Sequence, residues 1–133
     1  MSIQSNAFQP APASSAYVNV DGLKLHYLDY GTNGKPPMLC VHGGAAHAHW
    51  FDYVGGALSA AYHVRALDQR GHGDSAWSDP PVYTTQRLAA DLHDAVEALD
   101  LRDFVLVAHS MGGMVSLHYA ATFPGRLKAL IVI

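Results

Sequence analysis

Phe104-Val-Leu-Val-Ala-His-Ser-Met-Gly-Gly113 begins as a short apolar run and passes through His109-Ser110 into two glycines. Residues 104–107 have the length and β-branched content of a strand buried on both faces. After Ser110 nothing breaks a helix strongly until Pro124, so a helix is expected from the turn to that proline. A serine on such a tight strand-to-helix turn projects its hydroxyl above the sheet. Small residues must flank it, because the backbone there is crowded and strained. Ala108 and Gly112 are those residues here, in a Gly-x-Ser-x-Gly pattern whose first glycine has become alanine. Alanine is still small enough for a close helix–strand contact. The helix after Ser110 also points its first N–H groups, and the positive end of its dipole, at the serine.

The same alternation of strand and helix extends on both sides. Upstream, Thr84 or Thr85 can cap a helix running to Leu99, with Leu88, Leu92, Val96 and Leu99 in one apolar stripe. Before it, a strand over 62–67 opens into Asp68-Gln69-Arg70-Gly71-His72-Gly73-Asp74-Ser75, and Ser78-Asp-Pro-Pro81 forms a loop. Earlier still, a strand over 38–41 ends in His42-Gly43-Gly44, and a helix follows over roughly 49–60, weakened by Gly55-Gly56. Asp21-Gly22 is a hairpin signal between strands over 17–20 and 23–30. Downstream, 127–133 is a final apolar strand. The predicted fold is therefore α/β, a mostly parallel, doubly wound sheet of about six strands and three helices with an antiparallel N-terminal hairpin. In such sheets chemistry sits at the carboxyl ends of the strands, where all three Gly-rich turns lie.

Acyl transfer needs two donors aimed where a carbonyl oxygen becomes negative. The backbone N–H of Met111 is one candidate, and that of Gly44, after His42-Gly43, is the other. His42, Gly43 and His109 border the same place and are candidate substrate contacts. Cys40 falls in a buried strand and reads as a small core hydrophobe. Trp50, Phe51 and Tyr53 fit an acyl pocket and helix packing equally well.

In order and spacing, His42-Gly43-Gly44, the segment Asp68–Ser75 and Ala108-His109-Ser110-Met111-Gly112-Gly113 resemble the α/β-hydrolase superfamily, in its esterase, lactonase and carbon–carbon-bond hydrolase branch. The resemblance runs from about Tyr17 onward and covers the N-terminal portion of that fold. It implies that Ser110 is a nucleophile, that Gly44 and Met111 form the oxyanion site, and that Asp68 and Arg70 shape a loop without taking part in catalysis. It also implies a small-molecule ester or acyl substrate and no cofactor or metal. Epoxide hydrolases and haloalkane dehalogenases of similar sequence carry Asp on the elbow, so Ser110 points to esters, thioesters, lactones or activated C–C bonds.

In the superfamily the triad follows the order Ser, acid, His. After Ser110 the one histidine is His118, inside the expected helix, and no Asp or Glu follows. His47 and His49 are the least implausible stand-ins, and they read more simply as loop histidines. The expectation is a truncated core over 17–133 that lacks cap and C-terminal strands. The competing expectation is a non-catalytic binding or self-associating remnant that pairs through the apolar edge strand 127–133.

Composition sets the remaining expectations. Of 133 residues, half are hydrophobic and 14% charged, with a formal net charge of −3. No Lys/Arg cluster occurs, which argues against nucleic acid and anionic membranes as partners. A single cysteine excludes an internal disulfide and fits a reducing, cytoplasmic compartment. Residues 1–16, rich in Ser, Ala, Pro and Gln, lack the features of a signal peptide and are expected to be a flexible leader. No apolar run approaches the length of a membrane span.

Overall fold

The computed structural model describes residues 10–133. Strand β1 (Ser14–Val20) and strand β2 (Leu23–Asp29) form the expected hairpin. Asp21 and Gly22 close it with φ of 46° and 78°, the paired positive values that a two-residue turn matching strand twist requires. β1 starts at Ser14, not at Tyr17, so 14–16 of the expected leader belong to the sheet. The part of that leader over 1–9 lies outside the described residues.

Strands β3 (Pro37–Val41), β4 (His63–Leu67), β5 (Phe104–Ala108) and β6 (Leu127–Val132) complete a six-stranded sheet in the order β1-β2-β4-β3-β5-β6. Pairing is antiparallel for β1–β2 and β2–β4 and parallel for the rest. The apolar runs in β3 and β5 follow from burial on both faces. Leu39, Val41, Leu106 and Ala108 join the core on one face, and Met38, Cys40 and Val107 join the core on the other. Among the described residues β6 is the last strand on its side of the sheet, with Ile131 and Val132 about half exposed.

Helix α2 (Thr85–Ala98) and helix α3 (Met111–Thr122) cover the first face, where Leu88, Leu92, Val96 and Tyr119 meet Phe104 and Leu106. Thr84 caps α2, its side chain accepting the Arg87 N–H at 3.2 Å. On the other face the helix expected over 49–60 is divided into a 3-10 turn at Ala48–Phe51 and a short helix α1 (Asp52–Leu58). Gly55 has a packing reason. A Cβ there would lie 2.6 Å from the Tyr30 ring, whose hydroxyl donates to Asp52 Oδ1 at 2.7 Å. Among the described residues no helix is long and apolar enough to cross a membrane.

The segment 68–75 after β4 is built on buried charge. Arg70 and Asp91 are 4% and 2% exposed, and Arg70 Nη2 reaches Asp91 Oδ1 at 2.8 Å while its Nε reaches Oδ2. Arg87, one helical turn before Asp91, donates to the same Oδ1 at 2.9 Å. This pair ties the loop to α2 across the first core. Asp68, also buried, accepts the N–H groups of Ala48 at 2.7 Å and Asp74 at 3.0 Å, and so joins this segment to the turn after β3.

Candidate active site

Ser110 stands between β5 and α3 with φ 51° and ψ −118°, and it is exposed. A non-glycine residue in that region costs about 1–3 kcal/mol and persists only where its surroundings hold it. Here they do. The His109 N–H donates to Val41 O at 3.0 Å, the Ser110 N–H donates to Ile133 O at 2.9 Å, and the Ile133 N–H donates to Ala108 O at 2.8 Å. The turn is thus fastened to the ends of both neighbouring strands. Gly112 must be glycine, since a Cβ there would lie 2.5 Å from His42 O and 2.6 Å from Val41 O. The glycine two residues after Ser110 is therefore a steric requirement of packing α3 against the end of β3.

The turn after β3 lies against this elbow. A Cβ on Gly43 would come within 3.1 Å of Ser110 Cβ and 3.0 Å of His109 Nδ1, and one on Gly44 within 3.8 Å of Met111 Sδ. So Gly43, Gly44, His109, Ser110 and Met111 come together. The N–H groups of Gly44 and Met111 donate to no acceptor among the described residues. His42 takes a different position from a substrate contact: its side chain is fully buried. Its Nδ1 meets Gly43 O at 2.7 Å, and its Nε2 accepts the Gln69 N–H at 3.1 Å. That pattern defines a neutral ring with Nδ1 protonated. Burial lowers its pKa below the ordinary imidazole value against the opposing bond to Gly43, which keeps the ring neutral.

None of the histidines hydrogen-bonds Ser110 among the described residues. His109 packs its ring 5.9 Å from that of Trp50, and its Nδ1 is buried without a partner. His47 is exposed, and His49 turns to Asp52, with Nδ1 3.0 Å from Oδ2. His118 lies within α3. Trp50 is 59% exposed beside the elbow, whereas Phe51 is in the core. Cys40 is fully buried, and burial pushes its thiol up to about 12, far from a nucleophile's range. His26, Asp68 and Asp74 have potential metal-ligand atoms within 4.8 Å of one another. Both Asp68 oxygens already accept backbone N–H groups, and Oδ2 also faces His26 Nδ1, so the cluster is closed by its own hydrogen bonds.

Sequence reasoning passed over the partners of this segment. Asp68 meets His26 across 42 positions of chain and Arg70 meets Asp91 across 21, separations that carry no periodic signal. A usable hint was present, because an Asp and an Arg beside a buried strand must be paired if they are buried.

The sequence profile of the alpha/beta hydrolase fold family matches residues 36–133. The chain is 34% identical over 127 residues to epoxide hydrolase 4 of Mus musculus, covering 93% of this chain and 35% of that protein. It is 37% identical over 117 residues to the non-heme chloroperoxidase CPO-A1 of Kitasatospora aureofaciens, covering 85% of this chain and 41% of that protein. The crystal structure of a bacterial membrane phospholipase A superposes with a TM-score of 0.86 at 32% identity, covering 90% of this chain and 39% of that one. The chain thus spans well under half the length of these relatives.

Proposed function

Because the chain belongs to the α/β-hydrolase fold family, we propose that it carries the nucleophile half of a serine hydrolase acting on carboxylic esters or related acyl compounds. The single observation that carries this reading is the strained, exposed Ser110 with two uncommitted backbone N–H groups beside it. Ser110 Oγ attacks the acyl carbon, and the N–H groups of Gly44 and Met111 receive the oxyanion. Losing one such donor typically costs on the order of a hundredfold in rate.

The buried His42 supports the oxyanion turn. Gly43 C=O and Gly44 N–H belong to one trans peptide and point in opposite directions. Anchoring the carbonyl on the His42 ring and the Ala46 N–H turns the Gly44 N–H away from the interior. His42 acts through the backbone, and Gly43 and His109 form the floor that substrate meets. The base that takes the Ser110 proton, and the acid that orients it, are supplied by the part of the family's length that these residues do not span, in the order Ser, acid, His. The chemistry needs no cofactor.

Chemistry separates esters from epoxides. A serine that opened an epoxide would be left as an alkyl ether, which water does not cleave. A carboxylate doing so leaves an ester, which water does. Relatives named as epoxide hydrolases therefore share the scaffold without fixing the reaction. The test is the natural gene product at full length, offered p-nitrophenyl acetate, p-nitrophenyl butyrate and styrene oxide. Release of p-nitrophenol with no diol from styrene oxide is the expected result. Diol formation, or inertness toward both esters in a folded protein, overturns the proposal in favour of other chemistry or a binding role.

A further inference from the structure

Among the described residues, one serine hydroxyl meets an imidazole nitrogen, and it is not that of Ser110. Ser15, exposed on β1, has its Oγ 2.9 Å from His26 Nε2. His26 Nδ1 lies 2.8 Å from Asp68 Oδ2. His26 is 1% exposed and Asp68 2%. The β1–β2 register pairs Tyr17 with His26 and Ser15 with Leu28, so Ser15 and His26 are diagonal neighbours on one face of the sheet. β1 is separated from β5, which carries Ser110, by three intervening strands.

We propose that Ser15 is a second reactive hydroxyl, a covalent modification site for activated acyl and phosphonyl esters, held ready by the buried His26–Asp68 pair. The pair is immobilised. Asp68 Oδ1 accepts the Ala48 N–H at 2.7 Å, and Oδ2 accepts the Asp74 N–H at 3.0 Å. The His26 backbone is pinned from both sides, with its N–H on Ser75 Oγ at 2.8 Å and its C=O on the Asp68 N–H at 2.9 Å. The Tyr17 ring closes against the imidazole at 5.2 Å, edge on. A carboxylate partner accepts only, so Nδ1 carries a proton, and in the neutral ring Nε2 offers its lone pair to the Ser15 hydroxyl. That is the arrangement in which a base activates a serine nucleophile.

With p-nitrophenyl acetate, Ser15 Oγ bonds to the acetyl carbon and its proton passes to His26 Nε2. The bond from the acetyl carbon to the nitrophenyl oxygen breaks, and nitrophenolate leaves with the electron pair. The imidazolium then releases its proton to water, leaving acetyl-Ser15. Ser15 lies in a regular strand and lacks the helix N-terminus that Ser110 has. The acyl group is therefore expected to stay, giving a single-turnover burst and no sustained hydrolysis.

Ser14 provides an internal reference, since it is exposed, adjacent and bonded to no imidazole among the described residues. The experiment treats the Ser110→Ala protein with p-nitrophenyl acetate, and separately with an alkyl fluorophosphonate, and locates adducts in the tryptic peptide ending at Lys24 by tandem mass spectrometry. Ser15 is expected to acylate on the order of a hundredfold faster than Ser14, and Ser15→Ala to abolish the burst. Both serines are on the surface, so the comparison does not depend on a core variant folding. Equal labelling of Ser14 and Ser15, or no adduct at Ser15 when nitrophenol is released, overturns the proposal.

Discussion

Replacing Ser110 with alanine is expected to lower kcat/KM for p-nitrophenyl esters by on the order of 10⁶-fold in the full-length gene product, with no loss of folding stability. The two halves of this expectation come from the same geometry. The side chain is exposed and makes no hydrogen bond among the described residues, so its removal leaves no hole and orphans no partner. A surface change of that kind stays within about 0.5 kcal/mol. The rate loss follows from the proposed role of Ser110 Oγ in forming the bond to the acyl carbon, since the neighbouring N–H donors cannot replace a nucleophile. Ser110→Gly sharpens the test. At φ 51° glycine pays no steric cost, so this variant is expected to melt several degrees above wild type while being equally inactive. A glycine variant no more stable than wild type would show that the turn stores no strain.

Asp91→Ala is expected to destabilise the fold strongly, costing about 3–5 kcal/mol. The carboxylate is 2% exposed and answers the Arg70 guanidinium, itself 4% exposed, through two bonds. Deleting it strands a charge that can neither lose its proton nor reach water. Arg87 loses the same acceptor but is partly solvated and can turn outward. Urea denaturation followed by circular dichroism measures the effect as a lowered midpoint at unchanged slope. Replacing both partners, Arg70→Met with Asp91→Leu, is expected to recover most of the loss, because two apolar side chains leave no buried charge unmet. If Asp91→Ala alone cost under 1 kcal/mol, the pair would be solvated in solution and would not anchor the loop.

Much of the fold was legible because the patterns were strong and local. Buried parallel strands show as unbroken apolar runs, and β3 and β5 proved buried on both faces as their composition implied. The two-residue hairpin was announced by Asp21-Gly22, and the cap of α2 by Thr84. The departures share one physical origin, which is tertiary context overriding local preference. Ser14, Ser15 and Ala16 look like loop by propensity, yet pairing with β2 makes them strand. The helix after β3 was expected as one piece, but the buried Ala48 and Phe51 hold a tight turn ahead of it. The elbow serine and its small neighbours were readable from spacing. That Gly112 abuts two backbone carbonyls, and that His42 is buried beneath the Gly43-Gly44 turn, needed coordinates. The contact between His26 and Ser15 is set by strand register, which a hydrophobic pattern specifies only once the pairing is known.

The most direct test of the central claim is to find the residue that becomes covalently bound when the full-length protein meets an alkyl fluorophosphonate. Peptide mapping is expected to place a fast, stoichiometric adduct on Ser110, formed in step with the loss of ester hydrolysis. Ester hydrolysis that disappears with the adduct on another residue, or persists with Ser110 fully modified, would contradict the assignment of Ser110 as the nucleophile.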